Sequence, residues 1–415
     1  MSHPSTPTRS TVRRARAGVS LMFFTNGVLL AALLPRYPEI KAQLDLDNSE
    51  FGLVLVAFPV GALVAAAYAG RVTRAVGVLR AGCVGSVLLA VAFALAAAST
   101  SALLFAAALF AAGAIDAVVD AAQNIHGVIV EDRAGRSIIN SLHALWSLGA
   151  AFGGLIGAWC AARDVDLTTQ MVVNGGVWAA VAVLATLVAR LPSDSSPQEA
   201  APEGEPEAGG TSLPSRRGTW ALLAPLGLLA ICGTLVEDVA NNWSVLYLQV
   251  ETDAPLAVAG LGVSVMLAAQ FVGRLCGDPI TDRWGRDRVA RAGGLLIALG
   301  ALVAIVAPVY PLTVVGLAIS GFGSATLVPA AFAAAGRVPG LPEGTGIAIL
   351  GWLMRVGFLI TSPVVGVVSD ASSLRVAWAL PLVAGLVAAA LAERARRTLT
   401  GVPDAASGVV ASSTR

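Results

Sequence analysis

Twelve runs of about twenty mostly apolar residues punctuate this chain, and each has the length a helix needs to cross a bilayer. They lie near 18–38, 51–70, 81–99, 102–130, 137–160 and 170–190, and again near 219–249, 256–277, 289–308, 311–335, 342–368 and 375–392. Hydrocarbon offers no partner to a bare amide, so runs this long close their backbone hydrogen bonds within helices. The expected fold class is an all-α polytopic membrane protein with twelve transmembrane helices. Composition agrees: only 13% of the 415 residues are charged and 56% are hydrophobic, against about 25% charged in ordinary soluble domains. Mean hydropathy is +0.77.

The runs fall into two sets of six. Residues 18–190 form an expected N-terminal half and 219–392 a C-terminal half, flanked by tails at 1–17 and 393–415. Between the halves, 191–218 holds Pro192, Pro197, Pro202, Pro206 and Pro214 among Ser, Glu and Gly. It cannot bury enough apolar surface to order itself and reads as a disordered linker. An internal repeat supports the division. A shift of 208 residues sets Gly52 on Gly260, Gly77 on Gly285, Arg80 on Arg288 and Gly149 on Gly357. Duplicated six-helix halves are a recurring transporter architecture, with the substrate site at the midplane between them.

The arginines set the expected orientation. With both termini cytoplasmic, one side collects Arg9, Arg13, Arg14, Arg16, Arg71, Arg74, Arg80, Arg133, Arg136, Arg190, Arg216 and Arg217. The second half adds Arg274, Arg283, Arg286, Arg288, Arg291, Arg337, Arg394, Arg396, Arg397 and Arg415 to that side. The other side keeps Arg36, Lys41, Arg163 and Arg375, while Arg355 lies within a helix. This is the positive-inside pattern. A net charge of +1 argues against nucleic acid as a partner. Cys83, Cys160, Cys232 and Cys276 match no metal-binding spacing and read as small hydrophobes. Met1–Ala17 leads into the first apolar run with no small-residue cleavage site, so a cleaved signal peptide is not expected.

Ionisable groups inside hydrocarbon are expensive, about 2.5–3.5 kcal/mol each on insertion scales, and are functional candidates by default. Asp116 and Asp120 stand one helical turn apart in the fourth run, with Gln123 and Asn124 continuing the face. Two stacked carboxylates away from water resist joint ionisation, which makes the pair a candidate proton carrier. In the seventh run Glu237 and Asp238 precede Asn241 and Asn242, and adjacent positions point about 100° apart, so one acid of the two faces a cavity. Arg355 cannot shed its charge and must find a carboxylate of the protein or of a substrate. His126 and His143 can relay protons. Trp146, Trp243, Tyr247 and Trp352 can stack on a flat ligand. For every one of these residues the competing role is helix packing. No nucleophile elbow, metalloprotease helix or phosphate-cradling loop occurs, so an enzyme is not expected. No cofactor or metal is implied.

The stretch Asp282-Arg283-Trp284-Gly285-Arg286-Asp287-Arg288 resembles the cytoplasmic loop signature of the major facilitator superfamily. The matching earlier loop keeps Gly70, Gly77 and Arg80 but has Arg74 in place of the signature Asp. A narrower likeness, over residues 18–392, is to the branch containing the fucose–proton symporter. It is carried by Asn26-Gly27 and Arg36-Tyr37-Pro38, by Asp120 through Asn124, His126, Gly127 and Glu131, by His143 with Trp146-Ser147 and Gly149, and by Glu237 with Trp243-Ser244 and Tyr247-Leu248. The resemblance implies proton coupling through Asp120, with Glu237 and His143 at matching positions as further carriers, and Asp116 joins them by its stacking on Asp120. Candidate substrate contacts are Asn26, Asn124, His143, Trp146, Asn242, Trp243, Tyr247 and Arg355, the last from its charge and not from the branch pattern. Gly77, Arg80, Asp282, Arg283, Gly285, Arg286 and Arg288 would form the gating loops. The expected protein is a monomeric, multi-pass carrier of the bacterial cytoplasmic membrane, working by alternating access on a small organic solute and protons. Helix 5 keeps export open, because Gly149, Gly153 and Gly157 resemble the exporter signature although Gly154 replaces its Pro. A non-transporting sensor on the same fold is the reading from another class.

Overall fold

The computed structural model describes residues 9–135, 138–191, 216–335, 338 and 345–400. Among these residues, twelve helical spans are long and apolar enough to cross a membrane. In the first half they are α1 (Arg9–Gln43), α2 (Asn48–Val76), α3 (Val78–Ala97), α4 (Ala102–Ala134), α5 (Ser141–Ala161) and α6 (Leu167–Ala189). In the second they are α7 (Leu222–Thr252), α8 (Val258–Gly277), α9 (Arg286–Val306), α10 (Tyr310–Phe332), α11 (Ile349–Ala371) and α12 (Leu374–Glu393). The protein is a multi-pass membrane protein. Apolar side chains such as Leu53, Leu103, Leu299 and Val306 are exposed around its rim, as a bilayer-facing surface requires. Residues 192–215, most of the expected linker, lie outside the described residues, as do 1–8 and 401–415.

Helix α1 begins nine residues upstream of its apolar run. Ala15 and Val19 are fully buried in one cluster with Val130 of α4 and Leu142 of α5, while Arg13 and Arg14 stay exposed. Burial of one face thus extends the helix through a basic stretch that hydropathy alone excludes. The helix containing α8 likewise runs on from Leu256 to Trp284. Helix α10 breaks after Ser324 and resumes at Leu327.

The internal repeat reappears in the backbone. Gly77 (φ 93°) and Gly285 (φ 82°) turn the chain between α2 and α3 and between α8 and α9. Each glycine N–H donates to a threonine carbonyl four residues back, Thr73 at 2.9 Å and Thr281 at 2.8 Å. Asp45 (φ 50°) and Asp253 (φ 49°) are a second pair at the same separation, and a short Asp side chain tolerates this left-handed geometry. Helix α1 packs on α5 and α6, and α7 packs correspondingly on α11 and α12. The halves meet along α2 with α11 and α5 with α8.

We call the face holding Gly77 and Gly285 the arginine-rich face and its opposite the arginine-poor face. Two arginines on the arginine-poor face tie helix ends together. Arg36 is buried, donating Nε to Glu39 Oε2 at 2.6 Å, Nη1 to Gln170 Oε1 at 2.5 Å and Nη2 to Val165 O at 2.9 Å. Arg375 donates Nη1 to Ile305 O at 3.1 Å and Nη2 to Glu251 O at 2.7 Å. Arg375 thus satisfies last-turn carbonyls of α7 and α9, where a cation complements the helix dipole, while Arg36 ties α1 to the loop that precedes α6.

Candidate functional site

The polar stripe of α4 faces the centre of the bundle. Asn26 of α1 donates Nδ2 to Asp116 Oδ1 at 3.0 Å, and Trp146 of α5 donates Nε1 to Asn26 Oδ1 at 3.1 Å. Three helices are thereby joined through one relay of hydrogen bonds. One turn along, Asn124 Nδ2 donates to Asp120 Oδ1 at 2.9 Å. Asp120 and His143 are exposed although both lie on membrane-spanning helices. Arg355 of α11 lies within electrostatic reach of Asp120 from the other half of the molecule. Among the described residues, the three ion pairs within 4.0 Å involve Arg36, Arg291 and Arg375, so Arg355 faces Asp120 across a gap. Its Nη1 reaches Gly351 O at 3.5 Å.

The second half builds a different cluster. Ser362 of α11 donates Oγ to Asp238 Oδ2 at 2.7 Å, and Asn242 donates Nδ2 to Asp238 Oδ1 at 2.8 Å and to Ser362 Oγ at 3.1 Å. Asp238 is buried, whereas its neighbour Glu237 is half-buried. The two acids divide as the 100° step between adjacent helical positions dictates: Asp238 locks α7 to α11, and Glu237 faces Arg274. Arg274 lies inside the membrane-spanning part of α8, donates Nη1 to Ser147 Oγ of α5, and faces His143. The arginine count groups Arg274 with the arginine-rich side, although the apolar run near 256–277 contains it. The helix runs on to Trp284, and Arg274 points inward to α5.

The cavity is shut on the arginine-poor face. Phe51 of α2 sits edge-on to Trp243 of α7, with ring centroids 5.9 Å apart, and Tyr37 sits edge-on to Phe51 at 5.5 Å. Beside this aromatic plug the backbones nearly touch. A methyl at Gly52 would stand 2.5 Å from the Ser362 carbonyl oxygen, and one at Gly260 would stand 2.6 Å from Ala158 Cβ. Asp370, at the end of α11, accepts hydrogen bonds from Asn48 N at 3.2 Å and Ser49 N at 2.6 Å at the first turn of α2. Asn48 Nδ2 adds a bond to Ser369 Oγ at 3.0 Å. Asp370 therefore caps a helix of the opposite half. Loss of a helix cap costs about 1 kcal/mol, so Asp370→Ala is expected to shift the balance between closed and open arginine-poor face about fivefold toward open. Spin-label distances between α2 and α11 report that shift, and an unchanged distribution contradicts it.

The expected site residues thus separate into groups. Asn26, Asp116, Asp120, Asn124, His143, Trp146, Glu237 and Arg355 surround the central space. Asn242 is held in the Asp238 cluster. Trp243 is fully buried in the plug, and Tyr247 is fully buried with its hydroxyl on Ala304 O at 2.8 Å and its ring against Trp378. Trp352 is exposed, and His126 is buried against Ala189 O. Glu131 accepts from Ile138 N and Ile139 N at the start of the helix containing α5. Of the expected gating residues, Gly77 and Gly285 form the two turns, while Arg80, Arg283, Arg286 and Arg288 are exposed around them. The side chain of Asp282 lies outside the described residues. Arg274, Ser147, Asp238 and Ser362 join the site beyond the residues expected to carry substrate or protons. Asp238 shows itself by its charge and Ser147 lies in a run that carries the resemblance, whereas Ser362 is silent without a fold.

The family model described as Major Facilitator Superfamily matches residues 19–251 and 226–411. An uncharacterised MFS-type transporter of Yersinia pestis is 28% identical over 377 residues, covering 91% of this chain and 94% of its own. A mutant of the nucleoside transporter NupG superposes with a TM-score of 0.71 at 15% identity, covering 92% of this chain and 99% of that one. The E. coli fucose:proton symporter FucP, in an outward conformation, gives a TM-score of 0.60 at 18% identity over 92% and 99%. At these identities the solved structures speak for the fold alone.

Proposed function

We propose that this chain, which belongs to the Major Facilitator Superfamily, is a proton-coupled carrier of a small organic solute across the bacterial cytoplasmic membrane. It is a membrane transporter and not an enzyme. The arginine-rich face is then cytoplasmic by the positive-inside rule, and the closed arginine-poor face makes this the inward-open state.

The observation that carries the reading is the charge that faces itself across the two halves. Asp120 belongs to one half and Arg355 to the other, within electrostatic reach of each other. Protonated, Asp120 no longer attracts Arg355. Ionised, it attracts α11 toward α4 on the cytoplasmic side. Proton occupancy then biases the rocking of the halves, as alternating access requires. Asn26, Trp146, His143, Glu237 and Arg274 provide donors and acceptors around the same space, a setting for a polar solute. Asp116, already hydrogen-bonded to Asn26, positions this first helix.

The test is a thermal-unfolding screen of the purified protein against sugars, organic acids and nucleosides at two pH values. A ligand at one hundred times its Kd stabilises by about 2.7 kcal/mol. At least one class is expected to stabilise the protein, with a midpoint that depends on pH in the native chain and less so in Arg355→Gln. A broad library that moves no melting temperature at either pH contradicts the carrier reading.

A further inference from the structure

A groove opens on the membrane-facing side, between α5 and α6 toward the arginine-poor face. Its volume is about 890 Å³, and Leu155, Trp159, Val173, Val177 and Trp178 line it, with Leu261 of α8 at one edge. Its inner wall is aromatic: Phe24 of α1 stacks obliquely on Phe152 at 6.0 Å and on Trp178 at 5.7 Å. Helices α5 and α6 both pack on α1 and only loosely on each other, which leaves the furrow open. A furrow of this kind within a bilayer is filled by hydrocarbon.

Two features select what the hydrocarbon is attached to. Asn174 lines the groove and is only 6% exposed, yet among the described residues its Nδ2 has no acceptor. A buried amide without a partner costs about 1–3 kcal/mol, so the site calls for an occupant with a carbonyl or ether oxygen near its apolar chain. Charged residues follow the groove's lining residues Trp159 and Ala162 along the chain. The Arg163 guanidinium lies 4.6 Å over the Trp159 ring, and Asp164 and Asp166 follow in the same turn. Asp166 caps α6 by accepting from Thr169 N at 2.8 Å, and those bonds hold its carboxyl below the ordinary carboxylate value. One cation beside two anions suits a headgroup carrying both a phosphate and a primary ammonium.

We propose that this groove binds one phosphatidylethanolamine-type phospholipid. An acyl chain lies along Phe152 and Trp178, an ester oxygen accepts from Asn174, the phosphate rests on Arg163, and the ammonium meets Asp164 and Asp166. Because Leu261 of α8 closes one edge while α5 forms a wall, the bound lipid favours the arrangement in which α5 and α8 stay together.

Native mass spectrometry of the delipidated protein, titrated separately with phosphatidylethanolamine, phosphatidylcholine and phosphatidylglycerol, tests this directly. One phosphatidylethanolamine is expected to bind about tenfold more tightly than either of the others. Asp166→Asn keeps a competent helix cap and is expected to erase that preference. Val177→Trp fills the groove and is expected to remove the bound lipid while the protein still melts cooperatively. Asn174→Leu is expected to raise the melting temperature of lipid-free protein and to lower the further rise that phosphatidylethanolamine gives. Equal binding of all three lipids, a preference for phosphatidylglycerol, or a Val177→Trp variant that keeps its lipid overturns the proposal. None of these readouts depends on transport, so the site fails or stands apart from the carrier reading.

Discussion

Asp120→Asn is expected to abolish uphill transport while leaving exchange intact. One pH unit is worth about 1.4 kcal/mol per proton, a factor of ten in concentration. In proteoliposomes with a one-unit gradient, the native protein should sustain about tenfold accumulation per coupled proton, and Asp120→Asn about onefold. Counterflow of labelled against unlabelled solute needs only the rocking of the halves and should survive. The sign follows from placement. Asparagine preserves the bond pattern to Asn124 but can neither carry a proton nor attract Arg355. A variant that accumulates solute normally would remove Asp120 from the coupling.

Gly52→Leu has the other large expected effect, with the opposite logic. It leaves every charged group in place and attacks the closed face. Its Cβ alone would stand 2.5 Å from the Ser362 carbonyl oxygen, and helix backbone cannot yield cheaply there. Overpacking costs about 1–3 kcal/mol, which moves the population about 5- to 160-fold toward the state open on the arginine-poor face. Net transport is expected to fall at least tenfold. A cysteine at Ser264, buried against Gly154 in the closed state, should become reactive to an impermeant maleimide in Gly52→Leu and remain shielded with Gly52. The background needs its native cysteines replaced. Equal reactivity in both would show that Gly52 does not hold the face shut.

Much of this architecture is legible in the chain, for physical reasons particular to membranes. Lipid forces each long apolar run into a helix, so twelve runs become twelve spans. The 208-residue repeat survives because Gly77 and Gly285 occupy a backbone region that other residues rarely enter. Asp116 and Asp120 stood out because charge is costly in hydrocarbon. Hydropathy fails where tertiary packing decides. Arg274 sits close to a charged loop in sequence yet reaches Ser147 of α5 in space, a contact no local pattern announces. Trp243 and Tyr247 have the composition of ligand-stacking residues, but nothing local distinguishes stacking on a solute from plugging a closed face or filling a core. The cap that Asp370 places on α2 joins positions more than 300 residues apart and leaves no local trace.

Alternating access is the claim on which the rest depends, and paired spin labels in liposomes test it most directly. One pair, at Leu53 and Val367, spans α2 and α11 on the arginine-poor face, where both side chains are exposed. The other, at Val128 and Trp284, spans the two halves on the arginine-rich face, again at exposed positions. The predicted result is reciprocal: a change of pH or addition of a stabilising solute lengthens one distance as it shortens the other, and Asp120→Asn suppresses the response to pH. Two distances that stay fixed under every condition, or that lengthen together, contradict the account.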